Sequence, residues 1–125
     1  MLNTISLLGA LAKDIKFKRL NGVSLADGVI SIENDIKEPD YISCKFVGEF
    51  ADIVKEHLRR GNHVLINGEL ITSEYRARTG ETRLWVEVLV LKMTLLSHPH
   101  IKPEKLENIK ELYKQSRVKK SEKEV

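Results

Sequence analysis

The chain has 125 residues, of which 42% are apolar and 31% charged, with a single cysteine, Cys44. That is the length of one compact domain with the balance of a water-soluble globular protein, and it excludes an intramolecular disulfide scaffold and a wholly disordered chain. The formal charge of +3 is unevenly placed: residues 1–97 hold 13 Lys and Arg against 13 Asp and Glu, whereas residues 98–125 hold eight against five. A pI near 9.0 therefore says little about the neutral N-terminal part, where any basic surface must come from clustering.

In chain order, Leu2 to Leu8 reads as a strand closed by Gly9, with no basic region before it of the kind a signal peptide carries. A basic stretch from Lys13 to Arg19 carries Phe17. Asn21-Gly22 is a hairpin-turn signal between two apolar-alternating runs. Val23 to Glu33 alternates, with Gly28 as an expected bulge or bend, and Asp35 to Asp40 is a short polar loop. Tyr41 to Val47 is a third strand, with Tyr41, Ser43, Lys45 and Val47 on one face and Ile42, Cys44 and Phe46 on the other.

The period then changes. Phe50, Ile53, Val54, His57 and Leu58 recur at helical spacing, which predicts a helix from Glu49 to Arg60. Arg59 and Arg60 fall in its expected last turn and Gly61 at its C-cap. Val64 to Ile66, a bend at Gly68, and Glu69 to Tyr75 form one extended arm of a hairpin; Arg76 to Thr82 is its turn and Arg83 to Leu96 its return strand. Pro99 and Pro103 mark a break. Leu106, Ile109, Leu112 and Tyr113 share one face of an expected helix from Glu104 to Arg117, and Val118 to Val125 reads as a charged, disordered tail. The chain divides into a domain over residues 1–97 and a C-terminal helix with a charged tail over residues 98–125.

The fold class is all-β with one or two helices. Five bent strands, with a helix between the third and fourth and a further C-terminal helix, make the layout of a five-stranded OB-fold barrel, with Gly9, Gly28 and Gly68 at its corners. No phosphate loop, dinucleotide fingerprint or nucleophile elbow is present, and no cofactor is implied. His98 and His100 lack the Cys or carboxylate partners that a zinc site uses, and Cys44 reads as a small core residue. The expectation is a binding protein rather than an enzyme, in a reducing, cytoplasmic compartment, with no apolar run long enough to cross a membrane.

Several segments together resemble the bacterial single-stranded DNA-binding proteins: Met1 to Gly9 with Leu11 to Asp14, Asp40 to Phe46, Ala51 to Val54 with Leu58 to Gly61, and Asn67 to Tyr75 with Gly80 to Val88. The resemblance covers roughly residues 1–96. It implies an OB barrel, assembled as a homotetramer or dimer, that binds single-stranded DNA without demanding a sequence and serves DNA replication, recombination or repair. It implies stacking positions at Tyr75 and Tyr41. Trp85, in the partner strand of that hairpin, is a further stacking candidate whose other reading is core or subunit interface. Phe17 among Lys16, Lys18 and Arg19 is another. Arg76, Arg78 and Arg83 surround the hairpin tip as candidate phosphate contacts, Arg76 and Arg78 reading otherwise as a solvated turn, while Arg59 and Arg60 read as a helix end.

The chain also departs from the family pattern. Val47 stands where members often carry a ring, Ala10 and Glu49 where they tend to be basic, Gly28 where an aromatic is common, and Asp35 to Asp40 is shorter than usual. Lys119 to Val125 lacks the acidic, Phe-bearing tip that recruits replication and repair partners. These departures leave open a second expectation, an OB-fold protein–protein accessory module of a replication or conjugation complex with weak or no DNA binding. They also suggest that the helix from Glu104 replaces a linker by packing on the barrel or on another subunit.

Overall fold

The computed structural model describes residues 1–118; the expected tail from Lys119 onward lies outside the described residues. The elements in order are β1 (Ile5–Leu11), β2 (Lys16–Leu20), β3 (Val23–Ile32), β4 (Asp40–Val47), α1 (Glu49–His57), β5 (His63–Arg76), β6 (Thr82–Leu95) and α2 (Ile109–Ser116). The sheet order is β1-β5-β6-β4-β3-β2, and β1 pairs with β3 as well, which closes the sheet into a barrel. One contact, between β4 and β6, is parallel and runs through Cys44–Val88 and Lys45–Leu89.

Six strands reduce to the expected five because β1 and β2 are two halves of one bent strand along β3. β1 meets β3 at Ala10–Ser31 and Leu11–Ile30, and β2 meets it from Lys16–Asp27 to Leu20–Val23. Four residues, Ala12 to Ile15, face only Val29 and Gly28 between those registers. The expected bulge at Gly28 is thus on the neighbouring strand. Gly28 itself pairs regularly with Cys44, and its bare Cα lets Ile15, Phe46 and Leu11 close over it. The hairpin at Asn21-Gly22 forms as the dipeptide predicts, with φ of 52° and 77°.

Alternation sends Leu11, Ala26, Ile30, Cys44, Phe46, Val64, Ile66, Val88 and Val90 inward, each at most 2% exposed. α1 closes the barrel end with Phe50, Ala51, Ile53 and Val54 buried. Each large apolar side chain removed from water in this way contributes about 1.5–3 kcal/mol.

Four boundaries differ from expectation. β1 runs from Ile5 rather than Leu2, and Gly9 lies inside it, against the Ser31 carbonyl and the Ile30 side chain, where the strand crosses from β5 to β3. α1 ends at His57, because Leu58 turns to extended geometry to bury its side chain at 3% exposure. Arg59 and Arg60 are therefore past the helix, and Gly61 (φ 88°) donates its N–H to the Leu11 carbonyl at 2.8 Å instead of capping α1. α2 begins at Ile109, where the Asn108 side chain accepts from the Glu111 N–H, so Leu106 falls outside it and is fully exposed.

At Gly68 the β5–β6 register shifts by one residue, as expected of a corner glycine. A Cβ there would overlap the Leu89 carbonyl oxygen. Gly68→Ala is expected to destabilise the protein by about 2 kcal/mol or more, because overpacking outweighs the ~0.4–1 kcal/mol gained from a less flexible unfolded chain. A lowered urea midpoint with an unchanged slope is the measurement.

Candidate nucleic-acid interface

The strands' two-residue period defines an outer face as well as a core. Tyr41, Ser43 and Lys45 point outward from β4, and the register aligns Lys45 with Asp27 on β3 and Leu89 on β6. On the β5–β6 hairpin, Ser73 opposes Trp85 and Tyr75 opposes Arg83, so Tyr75 and Trp85 are diagonal neighbours on that same face. Their ring centroids are 5.1 Å apart at 40°, the tilted geometry aromatic pairs favour. The hairpin projects past the barrel and leaves Tyr75 40% and Trp85 49% exposed; Tyr41 is 63% exposed. Tyr41 and Trp85 each lie four residues before the Lys45–Leu89 contact, with the same outward parity.

A cleft opens beside these rings between the β1–β2 bend and the hairpin. Lys13, Lys16, Asp27, Ser43, Trp85 and Glu87 line it. Two of its lining carboxylates, Asp27 and Glu87, are paired with neighbouring side chains. The Lys45 ammonium lies 2.9 Å from Asp27 and 3.8 Å from Glu87, and Ser73 donates its hydroxyl to Glu87 at 3.3 Å. Burial acts to lower the Lys45 pKa, but the Asp27 hydrogen bond and the charges of Asp27 and Glu87 prevail, and it is raised. Lys45 is thus a fixed cation already matched by two carboxylates. The exposed cations are at the rim: Lys13 and Lys16 on one side, Arg76, Arg78 and Arg83 at the hairpin. Arg83 meets Glu81 at 3.7 Å in an exposed, weak pair. Exposed rings beside a charge-neutralised middle, with cations at the edges, suit a polyanion that presents planar groups inward.

The structure brings Tyr75, Trp85, Tyr41, Lys16 and Arg83 to one face; Arg76 has the opposite parity on β5, and Arg78 lies in the hairpin turn. It does not bring Phe17 there. Phe17 has the inward parity of β2, and the Lys55 ammonium sits over its ring, 4.2 Å from the centroid. Arg19 lines a different cleft, with Gly22, Glu49 and Glu107, whereas Lys18 shares the outward parity of Lys16, opposite Leu25. Arg59 turns its guanidinium onto the Lys55 and Leu58 carbonyls, at 3.2 and 3.3 Å, and so terminates α1.

Lys13 and Ser43 also line the cleft, and Lys45 lies next to it, paired with two of its carboxylates, all three without having been singled out as binding residues. The alternation of β4 placed Ser43 and Lys45 beside Tyr41, which was the available signal. Val47 continues that parity but is fully buried. The Cys44 thiol is inside the barrel, its pKa pushed up to about 12 by burial and by the nearby Glu87 carboxylate, so it offers no thiolate at neutral pH. Among the described residues no group of three His, Cys, Asp or Glu side chains is placed to hold a metal ion, and no helix is long and apolar enough to cross a membrane.

Known proteins share this chain's pattern. It is 27% identical over 93 residues to a single-stranded DNA-binding protein of Clostridium perfringens, covering 71% of this chain and 62% of that one. It is 27% identical over 103 residues to a single-stranded DNA-binding protein of Bacillus cereus, covering 77% and 61%, and 26% identical over 92 residues to one of Wolinella succinogenes, covering 66% and 57%. The matched part thus spans about three fifths of these relatives' length. Residues 1–96 match the family model described as the OSB SSB domain. With most of its length in that match and its barrel topology in agreement, the chain belongs to the bacterial single-stranded DNA-binding protein family.

Proposed function

We propose that this protein binds single-stranded DNA without sequence preference, with bases stacked on Tyr75, Trp85 and Tyr41 and phosphates met by Lys13, Lys16, Arg76, Arg78 and Arg83. The observation that carries this reading is the exposed Tyr75–Trp85 pair, with Tyr41 also exposed on the same outer face and exposed cations nearby. An unpaired strand has what such a face takes: flat bases on one side and a charged backbone on the other. A duplex hides its bases and offers nothing to the rings. Without base-edge readout the binding is sequence-tolerant, because every base has a π-face. The names of the relatives support the same ligand. In the cell this activity would protect unpaired DNA during replication, recombination or repair, in the cytoplasm.

Binding of oligo-dT is expected to quench Trp85 fluorescence and to weaken as salt rises. If most of the five rim cations engage, log Kd against log salt should have a slope of magnitude about 3. Each of Tyr75→Ala and Trp85→Ala is expected to cost about 1–3 kcal/mol, the range established for base–aromatic stacking in single-strand binders. Anisotropy of a labelled oligo-dT reads both variants. No binding at micromolar protein, or binding indifferent to both salt and the rings, would refute the proposal. In that case co-purification of a protein partner would favour the accessory-module reading.

The proposal includes a homo-oligomer, a dimer or tetramer. Leu8 on β1 and Leu65 on β5 are direct cross-strand neighbours on the outward side, 54% and 40% exposed. A second copy would remove this apolar pair from water. Leu8→Asp with Leu65→Asp is expected to shift the sedimentation coefficient to that of a monomer while the circular dichroism spectrum stays unchanged. A native chain that sediments as a monomer at every concentration contradicts it.

A further inference from the structure

Part of the outer face that carries the rings is covered by the chain itself. Val23, Leu25, Val47 and Leu89 have the outward parity of Asp27 and Lys45, yet they are 3%, 3%, 0% and 3% exposed. α2 lies across this end of the face. Near its start the Lys110 ammonium meets the Glu69 carboxylate of β5 at 2.6 Å. In its middle Leu112 packs over Gly48. At its end the Gln115 amide donates to the Asn21 carbonyl, and the Asn21 amide donates to the Ser116 carbonyl, both at 3.0 Å.

A clasp precedes the helix. The Glu107 carboxylate accepts from the Glu49 N–H at 2.7 Å, supplying α1 with the cap that Gly48 cannot. The Glu49 carboxylate in turn accepts from the N–H groups of Glu104 and Lys105.

This cover joins the core through Ile109, with Leu112 and Tyr113 packed against it, but it is short. α2 has eight residues, too few to persist as a helix without its support, and of its apolar side chains Ile109 is the one fully buried. Residues 96–108, which join it to β6, form neither helix nor strand. The surface beneath is a direct continuation of the cleft: along β4 the outward series runs Tyr41, Ser43, Lys45, Val47, and along β3 it runs Asp27, Leu25, Val23. The result is an apolar floor bounded by Lys45 and by the exposed Lys18, the same combination of flat apolar surface and flanking cations found at the rings.

We propose that this covered floor is a second segment of the strand-binding face, and that α2 competes with DNA for it. The inference rests on the strand-binding reading above. A short strand occupies Tyr75, Trp85 and Tyr41 and leaves α2 docked. A longer strand that continues toward the β2–β3 turn must displace α2, so its apparent affinity is reduced by the fraction of molecules in which the helix is docked.

The test uses the full chain and oligo-dT of about 5 and about 16 nucleotides, which bracket what one OB fold covers. Glu107→Ala with Leu112→Asp removes the clasp and puts a charge under the helix. That variant is expected to bind the longer oligonucleotide about tenfold more tightly than the native chain does, and the shorter one equally. Unchanged or weaker binding of the longer strand overturns the competition. Should the variant fail to fold, hydrogen exchange of the native chain decides: amides of residues 109–116 exchange faster when the longer strand is bound, and equal or slower exchange overturns the proposal. If neither oligonucleotide binds either folded protein, it is the strand-binding reading that fails.

Discussion

The structure depends on β1 serving two partners. It pairs with β5 along most of its length and with β3 over its last two residues, and that bridge turns an open sheet into a barrel. The crossing brings backbone against backbone, and Gly9 permits it because any side chain there would meet the Ser31 carbonyl. The extra residues at Ala12 to Ile15 then let the chain bend away and continue as β2. That bend supplies one wall of the candidate cleft, with Lys13 and Lys16, and the β5–β6 hairpin supplies the other.

Closure also fixes the difference between the two faces. Inside, alternation places apolar side chains almost throughout, with Ser24 on β3 a buried polar exception. Outside, it leaves a row of charges across β2, β3, β4 and β6, in which Lys16, Asp27, Lys45 and Glu87 succeed one another. Opposite charges in register neutralise the middle of the sheet and leave cations in excess at its edges. A barrel of zero net charge can thus expose Lys13, Lys16 and the hairpin arginines at the edges of a neutralised face, a placement no count over residues 1–97 reveals.

The C-terminal segment gives the outer face a second occupant. A carboxylate, Glu107, caps α1 from 58 residues away in sequence, and the amides of Glu104 and Lys105 return the favour to Glu49. Glu49 and Val47, both departures from the family pattern, lie under or beside this segment. An apolar residue at 47 suits a position that a helix covers, and an acidic one at 49 suits a position that backbone N–H groups approach.

Much of this was legible in the residues in order. Alternation in Tyr41 to Val47, helical spacing in Phe50 to Leu58, the Asn21-Gly22 turn and the long hairpin each depend on neighbours a few positions apart, so local stereochemistry and periodicity determined them. The rings at Tyr75 and Tyr41 came from resemblance to a family, and alternation alone put Ser43 and Lys45 beside Tyr41. What the linear pattern could not hold were relations between distant segments. Phe17 sits among three basic residues in sequence, yet β2 parity turns it inward and Lys55 of α1 covers its face. Arg59 and Arg60 extend a helical pattern, but burial of Leu58 ends the helix before them. The pairing of Lys45 with Asp27 and Glu87, and the seat of α2 on Val47 and Leu25, arise only when strands far apart in the chain are brought into register, because a side chain's charge partner and its exposure are properties of neighbours in space.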